Sequence, residues 1–294
     1  MLSLHTNASA LSTQNSLSST QKSLATSMTR LGTGFRVNSA MDDAAGLQIA
    51  TRLDAQTRGM AVAQRNTQNG ISMLQTGEGA LNEVSNILLR MKDLATEAFS
   101  ASSTATDKTA MQNEYDALGT ELTNIIKNTS FGGTQLFSDG TTVDGTNGKM
   151  SAAMNFQIGA SAGESMSVDL SAQVTGLTTA LATVSAQYAA TPPGAAGTEL
   201  SAATNTMLTT IGGAIDKVGE LRASFGASAN RLDHVYNNLQ NMSTNTAAAK
   251  GRIMDTDYAS ESSTMTTKQM LMQSGTAMLK QSNSMSGLVM SLLG

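Results

Sequence analysis

The chain has no cysteine. A disulfide framework and a thiolate metal site are therefore both excluded. The absence also suits a chain exported unfolded, which no cross-link could then trap. Tryptophan is missing and aromatics make up only 3 % of the 294 residues. Compact cores usually draw much of their buried area from aromatic rings, so the 40 % hydrophobic content here has to work through Ala, Leu and Met instead. All three are good helix formers. With only two prolines, long uninterrupted helices are permitted, since proline removes a backbone donor and clashes with the preceding turn. The formal net charge is −4, with no basic cluster, which argues against a nucleic-acid partner. No stretch approaches the roughly 18 apolar residues of a membrane span. The start, MLSLHTNASALSTQ, lacks a basic segment followed by a continuous apolar one, so no cleaved signal peptide is expected.

What is present is helical periodicity. Leu17, Leu24 and Leu31 lie seven apart, with Gln21, Met28 and Phe35 as an offset seam, the a/d spacing of a coiled coil. Through residue 36 only Lys22, Arg30 and Arg36 are charged. A solvated helix would carry more charge and a buried one fewer polar groups, so this helix is marginal alone and calls for partners. Gly32 and Gly34 suggest a loop. Asn38-Ser39 then offers an N-cap, with Asp42 and Asp43 in the first turn. A long stripe follows through Ile49, Leu53, Met60, Leu74, Leu81, Leu88 and Ala95, and Gly70, Gly77 and Gly79 argue against its being one straight rod. A second helix is expected from about Asp107, on Met111, Tyr115, Leu118, Leu122 and Ile125.

Between about 128 and 200 the pattern changes. Phe131-Gly132-Gly133 and Asp139-Gly140 are turn signals. Met154, Phe156 and Ile158 alternate, as do Met166, Val168 and Leu170, which predicts short strands. Residues 189–198 read as a surface loop. Heptads then return at Ile211, Val218, Phe225, Leu232 and Leu239, with Ala214, Leu221, Val235 and Met242 as the second seam. The last segment has Leu271, Met278, Met285 and Leu292 at sevens, and no residue after Lys280 is charged. Any one of these heptads alone fits ordinary bundle packing. Their placement at both ends of the chain, around a short β-rich middle, suggests that the ends pair and that the middle is an excursion at the tip. The expected fold is mainly α: a long antiparallel helical coiled-coil bundle with a small β-hairpin-rich central insert. The outermost stretches have no intramolecular core left to bury them, and self-assembly is the natural sink.

Two strings carry a family resemblance. Asn38-Ser39-Ala40-Met41-Asp42-Asp43-Ala44-Ala45-Gly46-Leu47 with Ile49-Ala50 resembles the N-terminal signature of bacterial flagellins. Arg252-Ile253, Asp255, Asp257, Ala259, Glu261 and Lys268, then Ala277-Met278-Leu279 with Gln281 and Asn283, resembles the C-terminal one. The segments 66–72 and 77–81 also fit, and the resemblance covers roughly 1–137 and 205–294. It implies an inner coiled-coil domain at about 1–40 and 251–294, a helical rod domain with a β-hairpin at 41–140 and 200–250, and a variable outer insert at 141–199. That insert is short for the family and in keeping with a lateral or secondary member. Thr129-Ser130-Phe131-Gly132-Gly133 stands where the family often has Phe-Asn-Gly.

The function implied is that of a structural subunit that self-assembles into the flagellar filament used for motility, located outside the cell. Implied partners are further copies of the chain, an export chaperone and the export apparatus, and filament cap and junction proteins. Leu17, Leu24, Met28, Leu31, Leu271, Met278, Met285 and Leu292 are the residues expected to pack between subunits. The resemblance also points to a host flagellin-sensing Toll-like receptor, through the matching Arg90, Leu94 and Glu114, with Leu89 where the family usually has glutamine. A hook–filament junction protein shares flagellin-like ends and is the nearest alternative. A secreted helical effector or adhesin, with ordered ends and no polymer, belongs to a different class.

No catalytic, cofactor or metal site is expected, and no membrane insertion. His5 and His234 are far apart in sequence and no HExxH is present. Asp42–Asp43 and Asp255/Asp257 read as capping and ion-pairing residues rather than acid/base groups. Gly77-Glu78-Gly79 lacks the strand context of a phosphate loop. Most of the 19 methionines fall on heptad positions, where they fill core space.

Overall fold

The structure is a computed structural model that describes residues 7–188, 197–200 and 206–293, with side chains up to 284. His5, most of the 189–198 loop and the side chains of Met285 and Leu292 lie outside the described residues. The order of elements is α1 (Ala8–Thr33), α2 (Ala44–Ala98), α3 (Ala105–Asn128), β1 (Ser130–Phe131), β2 (Thr134–Gln135), β3 (Met154–Gln157), β4 (Ser165–Val168), α4 (Ser171–Val184), α5 (Thr206–Met254) and α6 (Tyr258–Leu293). The fold is mainly α, with two short antiparallel strand pairs. The chain divides into two compact units, residues 1–57 with 244–294 and residues 58–243.

The larger unit holds the core. The heptads of α5 bury Ile211, Val218, Phe225, Leu232 and Leu239. The first four share a core with Leu81, Leu88 and Met91 of α2 and with Tyr115, Leu122 and Ile126 of α3, while Leu239 packs in a separate cluster with Met60 and Ala63. Phe137 and Phe225 stack with ring centroids 6.3 Å apart. The Tyr115 hydroxyl donates to the Val184 carbonyl at 2.7 Å and the Tyr188 hydroxyl to the Val143 carbonyl at 3.0 Å. Burial pushes both phenols above the usual tyrosine value, so both stay protonated donors.

Three local expectations are corrected. The helix α2 runs unbroken through Gly70, Gly77 and Gly79. A Cβ at Gly70 would lie 2.9 Å from Phe156, and one at Gly77 would lie 2.8 Å from Phe225. Glycine at these two positions lets aromatic rings approach the helix backbone. The N-cap of α2 is Asp43, whose carboxylate accepts from the Gly46 N–H at 2.8 Å. Asp42 instead accepts the backbone N–H groups of Asn38 and Ser39, which hold its carboxyl below the usual value. The third correction is α4, a helix in a region expected to hold strands. Its buried Val174, Leu177, Thr178, Leu181 and Val184 have helical spacing, but its Val- and Thr-rich composition favours strand on propensity.

The strands lie where alternation places them. β1 and β2 join through Gly132 and Gly133, both at positive φ, 58° and 81°, the two-residue hairpin turn whose twist matches the strands. β3 and β4 pair with Met154 opposite Val168 and Phe156 opposite Met166.

Candidate functional site: the terminal helix pair

In the smaller unit α1 and α6 lie antiparallel. Asn7, at the start of α1, donates from Nδ2 to the Ser282 carbonyl at 3.1 Å. At the other end Arg30 meets Glu261 at 3.7 Å. Asn7 also caps α1, its side chain accepting from the Ala10 N–H at 3.0 Å. Asp257 does the same for α6, accepting from the Ala259 N–H at 2.9 Å. The chain leaves α1 at Gly34, whose φ of 77° gives a left-handed cap. It is then stitched to the end of α5: Arg36 N–H donates to the Met254 carbonyl at 2.6 Å, and Thr256 N–H to the Gly34 carbonyl at 3.0 Å. Lys250 and Asp54 form a further ion pair.

These helices are rich in hydroxyls, and many of the threonine hydroxyls are satisfied locally. Thr13, Thr20, Ser23, Thr26, Thr29 and Thr33 each donate to the carbonyl four residues back. Thr264, Thr266 and Thr267 do so in α6. A serine or threonine bonded this way needs no water. The polar surface of the pair can therefore be desolvated at lower cost than its composition suggests.

The apolar residues split into two sets. Leu24 is buried and Leu17 and Leu31 are half-buried. Leu17 lies against α6, where a Cβ on Gly275 would come within 3.3 Å of its Cδ1. On α6 the half-buried residues are Met265, Met272 and Leu279, again at sevens. The second set faces away: Met28 is 52 % exposed, Leu271 51 % and Met278 62 %, with Leu11, Met270 and Tyr258 also exposed. Among the described residues, this unit buries only Leu24, Val37 and Ala50 as apolar side chains. A Leu or Met left exposed forgoes about 1.5–3 kcal/mol of burial free energy. The helix pair has one apolar seam used internally, and among the described residues of its unit further apolar side chains stay exposed.

Two models that describe the bacterial flagellin N-terminal and C-terminal helical regions match residues 4–142 and 208–293. The chain belongs to the bacterial flagellin family. Flagellin B of Vibrio anguillarum is 33 % identical and polar flagellin F of Vibrio parahaemolyticus 34 % identical, each over the full length of both chains. The alignments are longer than this chain, so those relatives carry stretches it lacks. A crystal structure of Bacillus cereus flagellin shares 34 % identity, covers 63 % of this chain and 94 % of that one, and superposes with a TM-score of 0.46. As a flagellin, this chain is a structural subunit of the flagellar filament that serves motility.

A separate feature of this flagellin lies on the larger unit. Arg90 and Glu114 form an exposed pair, with Nη2 at 2.7 Å and Nε at 2.8 Å from Oε1. Leu94, grouped with them in the sequence, is only 2 % exposed and packs into the core. It belongs with Leu88, Met91, Ala95 and Ala98 to the buried stripe of α2, so it offers a partner no surface. Its neighbour Leu89 is 49 % exposed. Among the described residues no group of three or more His, Asp or Glu side chains could hold a metal ion. No described helix is long and apolar enough to cross a membrane.

Proposed function

We propose that α1 and α6 are the polymerisation elements of this flagellin, and that their outward seam is buried by neighbouring subunits. The observation that carries this reading is the poverty of the smaller unit's own core: among the described residues, three buried apolar side chains against exposed Leu11, Met28, Met270, Leu271 and Met278. Helices so low in charge and propensity are marginal alone and gain permanence when a partner covers the remaining face. On this reading the inner domain is about 1–40 with 251–294, the rod domain 41–140 with 200–250, and the outer insert 141–199. The chain is exported unfolded and folds as it joins the growing tip beneath a cap protein, above a junction protein. An export chaperone masks the C-terminal helix before then. Because each subunit uses unlike faces to bind its neighbours, the contacts do not close into a ring and a helical polymer results.

Removing residues 260–294 tests this. The truncated chain is expected to melt at the unaltered temperature of its larger unit and to form no filaments by electron microscopy. Filaments from the truncated chain would reject α6 as a polymerisation element.

The exposed Arg90–Glu114 pair supports a second role, recognition by a flagellin-sensing Toll-like receptor. An exposed pair contributes only about 0–1 kcal/mol to stability, so Arg90→Glu should leave melting unchanged while weakening receptor activation in a reporter assay. Equal activation by wild type and variant would remove the pair from the contact.

A further inference from the structure

The methionines of this chain are sorted by unit. Met60, Met73, Met91, Met150, Met154 and Met166 are buried, and all six belong to the larger unit. Among the described residues five methionines are exposed. Met28, Met41, Met270 and Met278 belong to the smaller unit, and Met242 alone to the larger. With no cysteine in the chain, no thiol competes for an oxidant, and the thioethers are its most readily oxidised groups. The exposed ones therefore stand as the first targets, and three of them, Met28, Met270 and Met278, lie on helices α1 and α6.

We propose that Met28, Met270 and Met278 form an oxidation site whose conversion to sulfoxide by hydroperoxides blocks incorporation of the free subunit, and which assembly then protects. The inference rests on the reading of α1 and α6 as polymerisation elements. In the chemical step a lone pair on the thioether sulfur attacks one peroxide oxygen. The S–O bond forms as the O–O bond breaks, and the leaving hydroxide takes up the remaining proton as water. Sulfur is oxidised by two electrons and the peroxide is reduced by two. The product is a polar, chiral group in place of a flexible apolar one. On α1 and α6 it replaces the side chains that a neighbour would have to desolvate, and a sulfoxide oxygen buried without a donor is unfavourable. The larger unit loses little, because among the described residues Met242 is its one exposed methionine and six others are buried.

The test uses the full chain and hydrogen peroxide. Free subunits are treated, peptide-mapped by mass spectrometry and then induced to polymerise. Met28, Met270 and Met278 are expected to oxidise about tenfold faster than the buried Met91 and Met150, as accessibility dictates. Polymer yield should fall as those three sulfoxides accumulate, while the melting of the larger unit stays unchanged. Treatment with methionine sulfoxide reductases and a dithiol should restore polymerisation, an arm that depends on no variant. Met28→Leu/Met270→Leu/Met278→Leu should polymerise after peroxide. Met41→Leu should not rescue, since Met41 is 97 % exposed but lies outside both helices. Normal polymerisation of wild type carrying the three sulfoxides, or rescue by Met41→Leu alone, would overturn the proposal. Pre-formed filaments should keep the three residues reduced. Their oxidation there at the free-subunit rate would overturn the protection. The underlying reading fails on different data, the polymerisation of untreated chain that lacks residues 260–294.

Discussion

Asn7 and Ser282, 275 positions apart in sequence, close on each other through two hydrogen bonds: Asn7 Nδ2 to the Ser282 carbonyl at 3.1 Å and Ser282 Oγ to Asn7 Oδ1 at 3.4 Å. The same asparagine oxygen caps the first turn of α1. One side chain thus starts a helix and ties it to its antiparallel mate. Asn7→Ala should lose both functions, at about 1 kcal/mol for the cap alone. Hydrogen exchange of amides 8–12 in assembled filaments should quicken, and Asn7→Asp, which keeps the cap acceptor, should recover part of the protection. Unchanged exchange in Asn7→Ala would mean that α1 is held by its apolar seam only.

The outward seam makes a quantitative demand. Leu271 and Met278 are half or more exposed in the single chain. Truncating either to Ala removes apolar area from the proposed contact between subunits, which forgoes about 1.5–2 kcal/mol, or roughly ten- to thirtyfold in critical concentration. Thermal melting of the free chain should not move, because both residues are exposed among the described residues. A melting shift comparable to the assembly defect would place the seam inside the subunit instead.

Glycines within α2 should behave oppositely depending on what faces them. Gly77 has Phe225 where a Cβ would go, at 2.8 Å, whereas Gly79 has nothing within 4 Å. Gly77→Ala overpacks the core and should destabilise by about 1–3 kcal/mol. Gly79→Ala gains helix propensity at an open position and should stabilise by up to about 1 kcal/mol. Urea unfolding of the two variants decides the matter, and equal signs would contradict the packing.

These glycines also mark where the sequence was legible and where it was not. The α5 heptads could be read directly, because a seven-residue repeat of large apolar residues has one buried face in any bundle. For Gly70 and Gly77 the tertiary neighbours Phe156 and Phe225 set the meaning, and those lie more than eighty positions away. Helix α4 was hidden because Val174, Thr175, Thr178, Thr179 and Val184 speak for strand by propensity while their spacing speaks for helix. At the terminal pair the repeats of Leu17, Leu24 and Leu31 and of Leu271 and Met278 were both visible. Periodicity could not say that on α6 the repeat of Met265, Met272 and Leu279 is half-buried while that of Leu271 and Met278 is exposed, since two seams on one helix look alike until a partner is placed. Leu94, grouped with Arg90 by the resemblance, belongs to the buried stripe with Leu88, Met91 and Ala95, at a margin of that stripe that only the packed core defines.

The last prediction concerns acid. Asp139 just before the central insert, and Asp144 and Asp169 within it, each accept hydrogen bonds from the residues that follow. The Thr141 hydroxyl and then the Thr142 and Thr141 N–H groups hold Asp139 well below the usual carboxylate range. The Thr146 hydroxyl and N–H lower Asp144, and those of Ser171 lower Asp169. An unfolded aspartate titrates near pH 4, so on acidification the unfolded chain binds protons before the folded one does. The stabilisation from these carboxylates is therefore complete above about pH 4 and is lost as the pH falls toward the folded values. Melting temperature should be flat at neutral pH and decline below that point. Asp139→Asn keeps an acceptor oxygen but cannot titrate, so it should lower stability at neutral pH and flatten the acid slope. An acid slope identical to wild type would show that Asp139 does not contribute to the pH dependence of stability.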